Sequence, residues 1–182
     1  MKKIIWIIII IVIILIGISK YNSFVRIRVE VDNKWAEVEN QLQRRYDLIP
    51  NYVNTVKGYA EHEKEVFIKV TEARSKVGQA SSREEKINAN NELSGALSRL
   101  LVVIEKYPDL KANVNFIRLQ DELSGTENRL AVARKRYNEI VSSYNQRIMV
   151  FPNNLIAKIF GFKQEAFYKT PEEAKTAPKV EF

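Results

Sequence analysis

The 182-residue sequence contains no cysteine, a single histidine, six glycines and five prolines. The missing cysteine excludes disulfides, thiolate metal sites, cysteine nucleophiles and a lipid-modified N-terminal cysteine together. It leaves the compartment open, because a cysteine-free domain folds in either redox environment. Scarce glycine and proline leave long unbroken stretches, which favours helices over a turn-rich β fold. One histidine cannot supply the two-histidine helical turn of a zinc protease or the paired Glu-x-x-His motifs of a di-iron bundle. Tyr59 stands three residues before His62, so even one such pair is missing. Within Glu61-His62-Glu63-Lys64-Glu65 the imidazole is expected on a polar helix surface or in a hydrogen bond at a bundle edge. Gly-rich phosphate loops and G-x-S-x-G nucleophile motifs are absent too. Carboxylate pairs such as Glu84-Glu85 and Glu172-Glu173 occupy adjacent helical positions that point apart, as solvated faces do. The sequence predicts no enzyme: no catalytic residue, no metal, no cofactor and no small-molecule substrate.

What is present begins with a hydrophobic run. Ile4 to Ile18 is uninterrupted apolar sequence, mostly isoleucine, flanked by Lys2, Lys3 and Lys20. At about 1.5 Å per residue it spans roughly 22 Å, short of a hydrocarbon slab of about 30 Å. Lys3 and Lys20 can snorkel, Trp6 and Tyr21 suit the interfaces, and Phe24, Val25 and Ile27 extend the apolar character. The run closes on Gly17-Ile18-Ser19-Lys20-Tyr21, which lacks the small-residue cleavage pattern of a signal peptide. A retained transmembrane helix over residues 1–20 is therefore expected, with Ile4, Trp6, Ile10, Ile14, Ile18 and Tyr21 as its anchor residues and membrane lipid as its partner. Lys20, Arg26, Arg28 and Lys34 slightly outnumber Lys2, Lys3 and the amino terminus, a lean toward a cytoplasmic C-terminal domain.

The formal charge of +7 raises two anionic partners, nucleic acid and the acidic headgroups beside the anchor. Along most of the chain the basic residues alternate with Glu and Asp. A solvated mixed-charge surface is the expectation, and nucleic acid is not an expected partner. Arg44-Arg45 and Arg134-Lys135-Arg136 offer phosphate contacts, yet consecutive helical positions fan around the surface. Solvation or pairing with Glu is their default role.

Four helical segments follow the anchor. Val31, Trp35, Val38, Leu42 and Ile49 repeat at steps of three, four or seven, one face of a first helix running to about Tyr46. Its opening, Val25 to Asp32, alternates as a strand would, but no second strand pattern exists to pair with it, so a helix is expected. Asp47-Leu48-Ile49-Pro50 predicts a break or kink, with Asp47 capping a second helix to about Val77. That helix shows Val56, Tyr59, Ala60, Val66, Phe67, Val70 and Ala73 as its apolar face. Gly78 to Ser81 reads as a turn, and Ser82 with Glu85 has capping-box spacing. The third helix carries Leu93, Leu97, Leu100, Ile104 and Tyr107 and stops at Pro108-Asp109. The fourth starts near Asn113 and keeps Phe116, Leu119, Leu123, Leu130, Tyr137, Val141, Tyr144, Ile148 and Phe151 in register almost to Pro152, with Gly125 allowing close packing or a slight bend. Short turns make neighbours antiparallel. The predicted fold is all-α: a transmembrane helix followed by an elongated antiparallel four-helix bundle over residues 21–168. A short amphipathic helix spans Asn153 to Phe160, and a disordered tail spans 169–182.

Tyr137-Asn138 and Tyr144-Asn145 lie seven residues apart on one stripe of the fourth helix, and Tyr21-Asn22 repeats the pair near the anchor. Rings packed in the core with amides bonded to a neighbouring helix are expected, a binding face being the alternative. Phe151, Phe160, Gly161 and Phe162 complete the candidate contacts. With Phe167-Tyr168, the Phe160-Gly161-Phe162 knob is expected to fold back as a cap. Docking on another copy or dipping into a membrane interface are the alternatives.

Several separated stretches together resemble the LemA family: Tyr21-Asn22, Val31-Asp32 and Trp35, then Gln41-Leu42 with the run Arg44 to Asn51. Val56-Lys57-Gly58-Tyr59, His62-Glu63 and Thr71-Glu72-Ala73-Arg74 continue the likeness. Leu119-Gln120, Glu122-Leu123, Thr126 to Arg129, Tyr137-Asn138, Tyr144-Asn145, Phe151-Pro152 and Phe160-Gly161-Phe162 follow in the family's order. Val29 departs from it, where the family often has a polar residue. The resemblance implies a four-helix bundle behind one membrane helix in a bacterial membrane and, through magnetosome proteins of the same family, a link to membrane remodelling. It carries no catalytic residues over. The expected function is a structural scaffold that forms homo-oligomers on the membrane. The alternative is a tethered adaptor for another envelope protein or polymer.

Overall fold

The computed structural model describes residues 2–60 and 62–169, and every regular element among them is a helix. The elements are α1 (Lys2–Lys57), α2 (Lys64–Gln79), α3 (Arg83–Ile104), α4 (Pro108–Lys111), α5 (Val114–Met149) and α6 (Asn153–Ile159). They form two compact units, and α1 and α5 each contribute to both. Among the described residues, the first contains 2–38 and Ala133–Phe167, the second 39–60 and 62–132 with Tyr168 and Lys169. The expected tail beyond Lys169 lies outside the described residues.

In the first unit α1 and α5 run antiparallel: Arg147 Nη1 donates to Ser23 Oγ at 3.3 Å, while Arg136 stands 3.8 Å from Glu37. Most of the stripes expected from periodicity are buried, with Phe151 and Tyr59 as exposed exceptions. Phe24, Ile27, Val31, Trp35 and Val38 of α1 and Tyr137, Val141, Tyr144 and Ile148 of α5 are buried. Trp35 meets Tyr137 edge to face, with ring centroids 5.3 Å apart. Burying one such side chain contributes roughly 1.5–3 kcal/mol, so these stripes hold the pair together.

The second unit is a four-helix packing of the later part of α1, α2, α3 and the start of α5. Its core includes Ile49, Tyr52, Val56, Phe67, Val70, Leu93, Leu97, Leu100, Ile104, Leu110 and Phe116. The capping box at α3 forms as expected: Glu85 N–H donates to Ser82 Oγ at 3.1 Å and Ser82 N–H to Glu85 Oε2 at 3.0 Å. Asn113 caps α5, its Oδ1 accepting from the N–H of Asn115 (2.9 Å) and Phe116 (3.1 Å).

The predicted break at Asp47–Pro50 does not occur. α1 runs on through Pro50 and ends at Lys57, where the N–H groups of Tyr59 and Ala60 both donate to Val56 O at 3.0 Å. Proline has no N–H for the carbonyl four residues earlier, which belongs to Tyr46. Arg74 of α2 supplies the missing donor, its Nε reaching Tyr46 O at 3.2 Å. The same guanidinium lies 3.9 Å from the centre of the Tyr46 ring. A Cβ on Gly78, one turn further along α2, would come within 3.1 Å of Tyr46 Oη, so the glycine makes room for the ring. α2 runs through Gly78 to Gln79, two residues past the expected end.

Candidate membrane-contact and assembly site

From Ile4 to Ile18 the large side chains of α1 are exposed, and none of the described residues covers them. This is the one helix among the described residues long and apolar enough to cross a membrane. The expected anchor residues Ile4, Trp6, Ile10, Ile14 and Ile18 all project from it. Tyr21, at the foot of the run, turns to a different partner.

That partner is the end of α6. The helix stops in a paired-bond C-cap: Phe162 N–H donates to Ala157 O at 2.9 Å and Gly161 N–H to Lys158 O at 3.3 Å. Gly161 takes φ +73°, the left-handed conformation that this closure requires and that glycine adopts without a Cβ penalty. The turn brings Phe160 and Phe162 onto α1. Tyr21 lies 5.0 Å from Phe160 and 5.7 Å from Phe162, and Phe24 lies 5.4 Å from Phe162, centroid to centroid. Tyr21, Phe160, Gly161 and Phe162 therefore form one cluster, with Phe24 as an extra member. Phe24 was legible only as an extension of the apolar run.

Residues 163–169 are non-helical, and the Tyr-Asn pairs hold the stretch from Lys163 to Ala166 along α5. Tyr144 Oη donates to Lys163 O at 2.9 Å, and Tyr137 Oη to Ala166 O at 3.0 Å. Between them Asn145 bonds Glu165 twice, Nδ2 donating to Glu165 O and Oδ1 accepting from Glu165 N–H, both at 2.9 Å. The seven-residue spacing of the tyrosines thus clamps one short segment, with rings in the core and polar ends on its backbone. Burial pushes the Tyr144 phenol above its ordinary value. Asn138 is half-buried and takes no part in the clamp bonds given above. Asn22 sits elsewhere, in a polar groove of about 450 Å³ beside Ser19, Ser23, Arg26, Ser143 and Arg147. Phe151 joins neither group and is exposed.

In the second unit Tyr168 is buried and its Oη accepts from Asn90 Nδ2 at 3.2 Å. Buried Arg45 uses Nη1 on Glu127 (2.9 Å), Ser94 Oγ (2.9 Å) and Asn90 Oδ1 (3.4 Å). Arg44 stands 3.6 Å from Glu122. Both arginines of the Arg44-Arg45 pair thus have Glu partners within the fold.

Comparison with known proteins places this arrangement. The LemA family matches residues 34–182. Protein LemA of Metamycoplasma hominis is 23% identical over 156 residues, covering 85% of this chain and 71% of its own length. Magnetosome protein MamQ 2 of Paramagnetospirillum magneticum is 24% identical over 178 residues, covering 84% of this chain. Magnetosome protein MamQ of Magnetospirillum gryphiswaldense is 23% identical over 181 residues, covering 85% of it. The alignments span 65% and 66% of those two magnetosome proteins, so about a third of each has no counterpart here. With the family match covering residues 34–182, most of the sequence, this chain belongs to the LemA family.

Proposed function

We propose that this protein is a non-enzymatic structural component, held in the membrane by a single pass of α1, which assembles laterally with copies of itself and organises the bilayer around them. The observation that carries this reading is the continuity of α1. The helix that exposes Ile4–Ile18 buries Phe24, Ile27 and Val31 in the first unit, with no linker between. An adaptor reaching for a distant partner is served by a flexible tether. A component that imposes geometry on a membrane needs the stiff junction found here. Large apolar side chains on the second unit support lateral contacts, among them Val102 at 67% and Val114 at 60% exposure, with Ile68 and Ile117 also exposed. The MamQ relatives are magnetosome proteins by name, which supports the coarser idea of work at a membrane-bounded structure. The slight excess of basic residues just after the apolar run supports folded units on the cytoplasmic side.

Light scattering of the full chain in a mild detergent tests it. A discrete oligomer that dissociates when Val102 and Ile117 are both replaced by Lys is expected. A monomer in the unsubstituted protein contradicts self-assembly, and a monomer that retains one stoichiometric protein partner favours the adaptor instead.

A further inference from the structure

Charge is segregated along this chain. Residues 1–29 and 140–164 hold eight of its Lys and Arg residues and no Asp or Glu, so the remainder nets −1 against +7 for the whole. Six of the eight, Lys20, Arg26, Arg28, Arg147, Lys158 and Lys163, follow the apolar run and belong to the first unit.

The same unit carries an apolar face that nothing in it covers. Phe151, Leu155 and Ile159 recur at steps of four and are 75%, 54% and 78% exposed, while Ala157 on the opposite side of α6 is buried. Met149, Val150 and Phe160 widen the exposed face. Its level is set by the 5.0 Å contact of Phe160 with Tyr21. Tyr21 is three residues past Ile18, about 4.5 Å along the helix axis. The apolar run falls roughly 8 Å short of the hydrocarbon thickness, so Tyr21 stands at the lipid interface, and α6 stands there with it.

We infer that α6 and the turn before it form a second membrane contact, their Phe151-Leu155-Ile159 face seated in the interface of an anionic leaflet beside the point where α1 enters it. This rests on α1 being a membrane anchor. A short helix lying in the interface needs an apolar row below and cations that reach the headgroups, and Lys158 and Lys163 flank this row. Lys and Arg outnumber Asp and Glu in the first unit, and this excess complements anionic lipid. A second copy of the chain would bring the same cations against themselves, which disfavours it as the occupant.

The cysteine-free sequence permits the test directly. Single cysteines are placed in the full chain at Ile10, Ser98, Leu155 or Ile159 and labelled with an environment-sensitive dye. Each protein is reconstituted into phosphatidylcholine vesicles with and without phosphatidylglycerol, and nitroxide lipids serve as quenchers. The seat predicts quenching and a blue shift at 155 and 159, strengthened by phosphatidylglycerol, with none at 98. Lys158→Glu with Lys163→Glu should abolish the dependence on phosphatidylglycerol. Dyes at 155 and 159 as unquenched as the dye at 98, while that at 10 is quenched, overturn the seat and leave the anchor standing. An unquenched dye at 10 removes the anchor itself. Shielding at 155 without lipid quenching, fading as protein is diluted in lipid, means that a second copy covers the face and also overturns the seat.

Discussion

Arg74 Nε donates to the backbone carbonyl of Tyr46 at 3.2 Å, the carbonyl that Pro50 leaves without its helical partner. A residue 28 positions away thereby closes the gap in α1. Replacing Arg74 by Ala removes this bond and the guanidinium stacked on the Tyr46 ring, at a cost of roughly 1–2 kcal/mol. Pro50→Ala restores an N–H to the helix and should make the Arg74→Ala change cheaper. Thermal melts of the four proteins of this double-mutant cycle, followed by circular dichroism, measure the coupling. Additive losses would show that Arg74 does not serve the Tyr46 carbonyl.

Glu85 answers to pH. Hydrogen bonds from the backbone N–H groups of Ser82 and Ser81 hold its carboxyl at about 2, against 4.5 for the free group. A depressed carboxyl stabilises the fold fully above the unfolded value. That contribution is lost as pH falls from about 4.5 through about 2. The start of α3 should therefore loosen in this window, as followed by the side-chain NMR shift of Glu85. Ser82→Ala should cost about 1 kcal/mol by removing the acceptor for Glu85 N–H, while the backbone N–H groups of residues 81 and 82 still hold the Glu85 carboxyl low. A Glu85 midpoint near 4.5 in the unsubstituted protein would refute the cap.

Two buried tyrosines should respond oppositely to loss of their hydroxyl. Tyr144 Oη serves the Lys163 carbonyl, so Tyr144→Phe should destabilise by about 1 kcal/mol. Tyr52 Oη is buried with no hydrogen-bond partner among the described residues, and burial pushes it up to about 12. Tyr52→Phe should be neutral or stabilising by up to about 1 kcal/mol. Because burial disfavours its phenolate, Tyr52 should make the fold lose stability as pH rises from 10 toward about 12. Urea midpoints of the two variants, compared at neutral and alkaline pH, check both signs.

The Asn145 clamp has its own readout. The Glu165 amide donates to Asn145 Oδ1, and Asn145→Ala removes that acceptor. Hydrogen exchange at Glu165 should be slow in the unsubstituted protein and accelerate toward the free rate in the variant, with the amides of mid-α5 unchanged. Equal exchange in both would mean that the segment after Phe162 is not held by this side chain.

Much of this fold is written locally. The isoleucine run, most of the stripes from Val31 to Ile148 and the Ser82-Glu85 spacing are patterns within one or two turns, and they appear where expected. The failure at Pro50 has a physical cause: local rules count the lost N–H but cannot see Arg74, which arrives from another helix. The Tyr-Asn spacing was visible, whereas its partner was not, because a non-helical stretch such as Lys163–Ala166 has no period to read. The sorting of charge to one end was in the sequence throughout. It gained meaning once Tyr21 and Phe160 were seen 5.0 Å apart.

Self-assembly in the membrane is the central claim, and counting subunits there tests it most directly. The full chain, fused to one fluorophore and kept at its native density, is followed by single-molecule photobleaching. Multiple bleaching steps per spot, reduced to one by Val102→Lys with Ile117→Lys, are the predicted result. Single steps throughout in the unsubstituted protein would contradict the account.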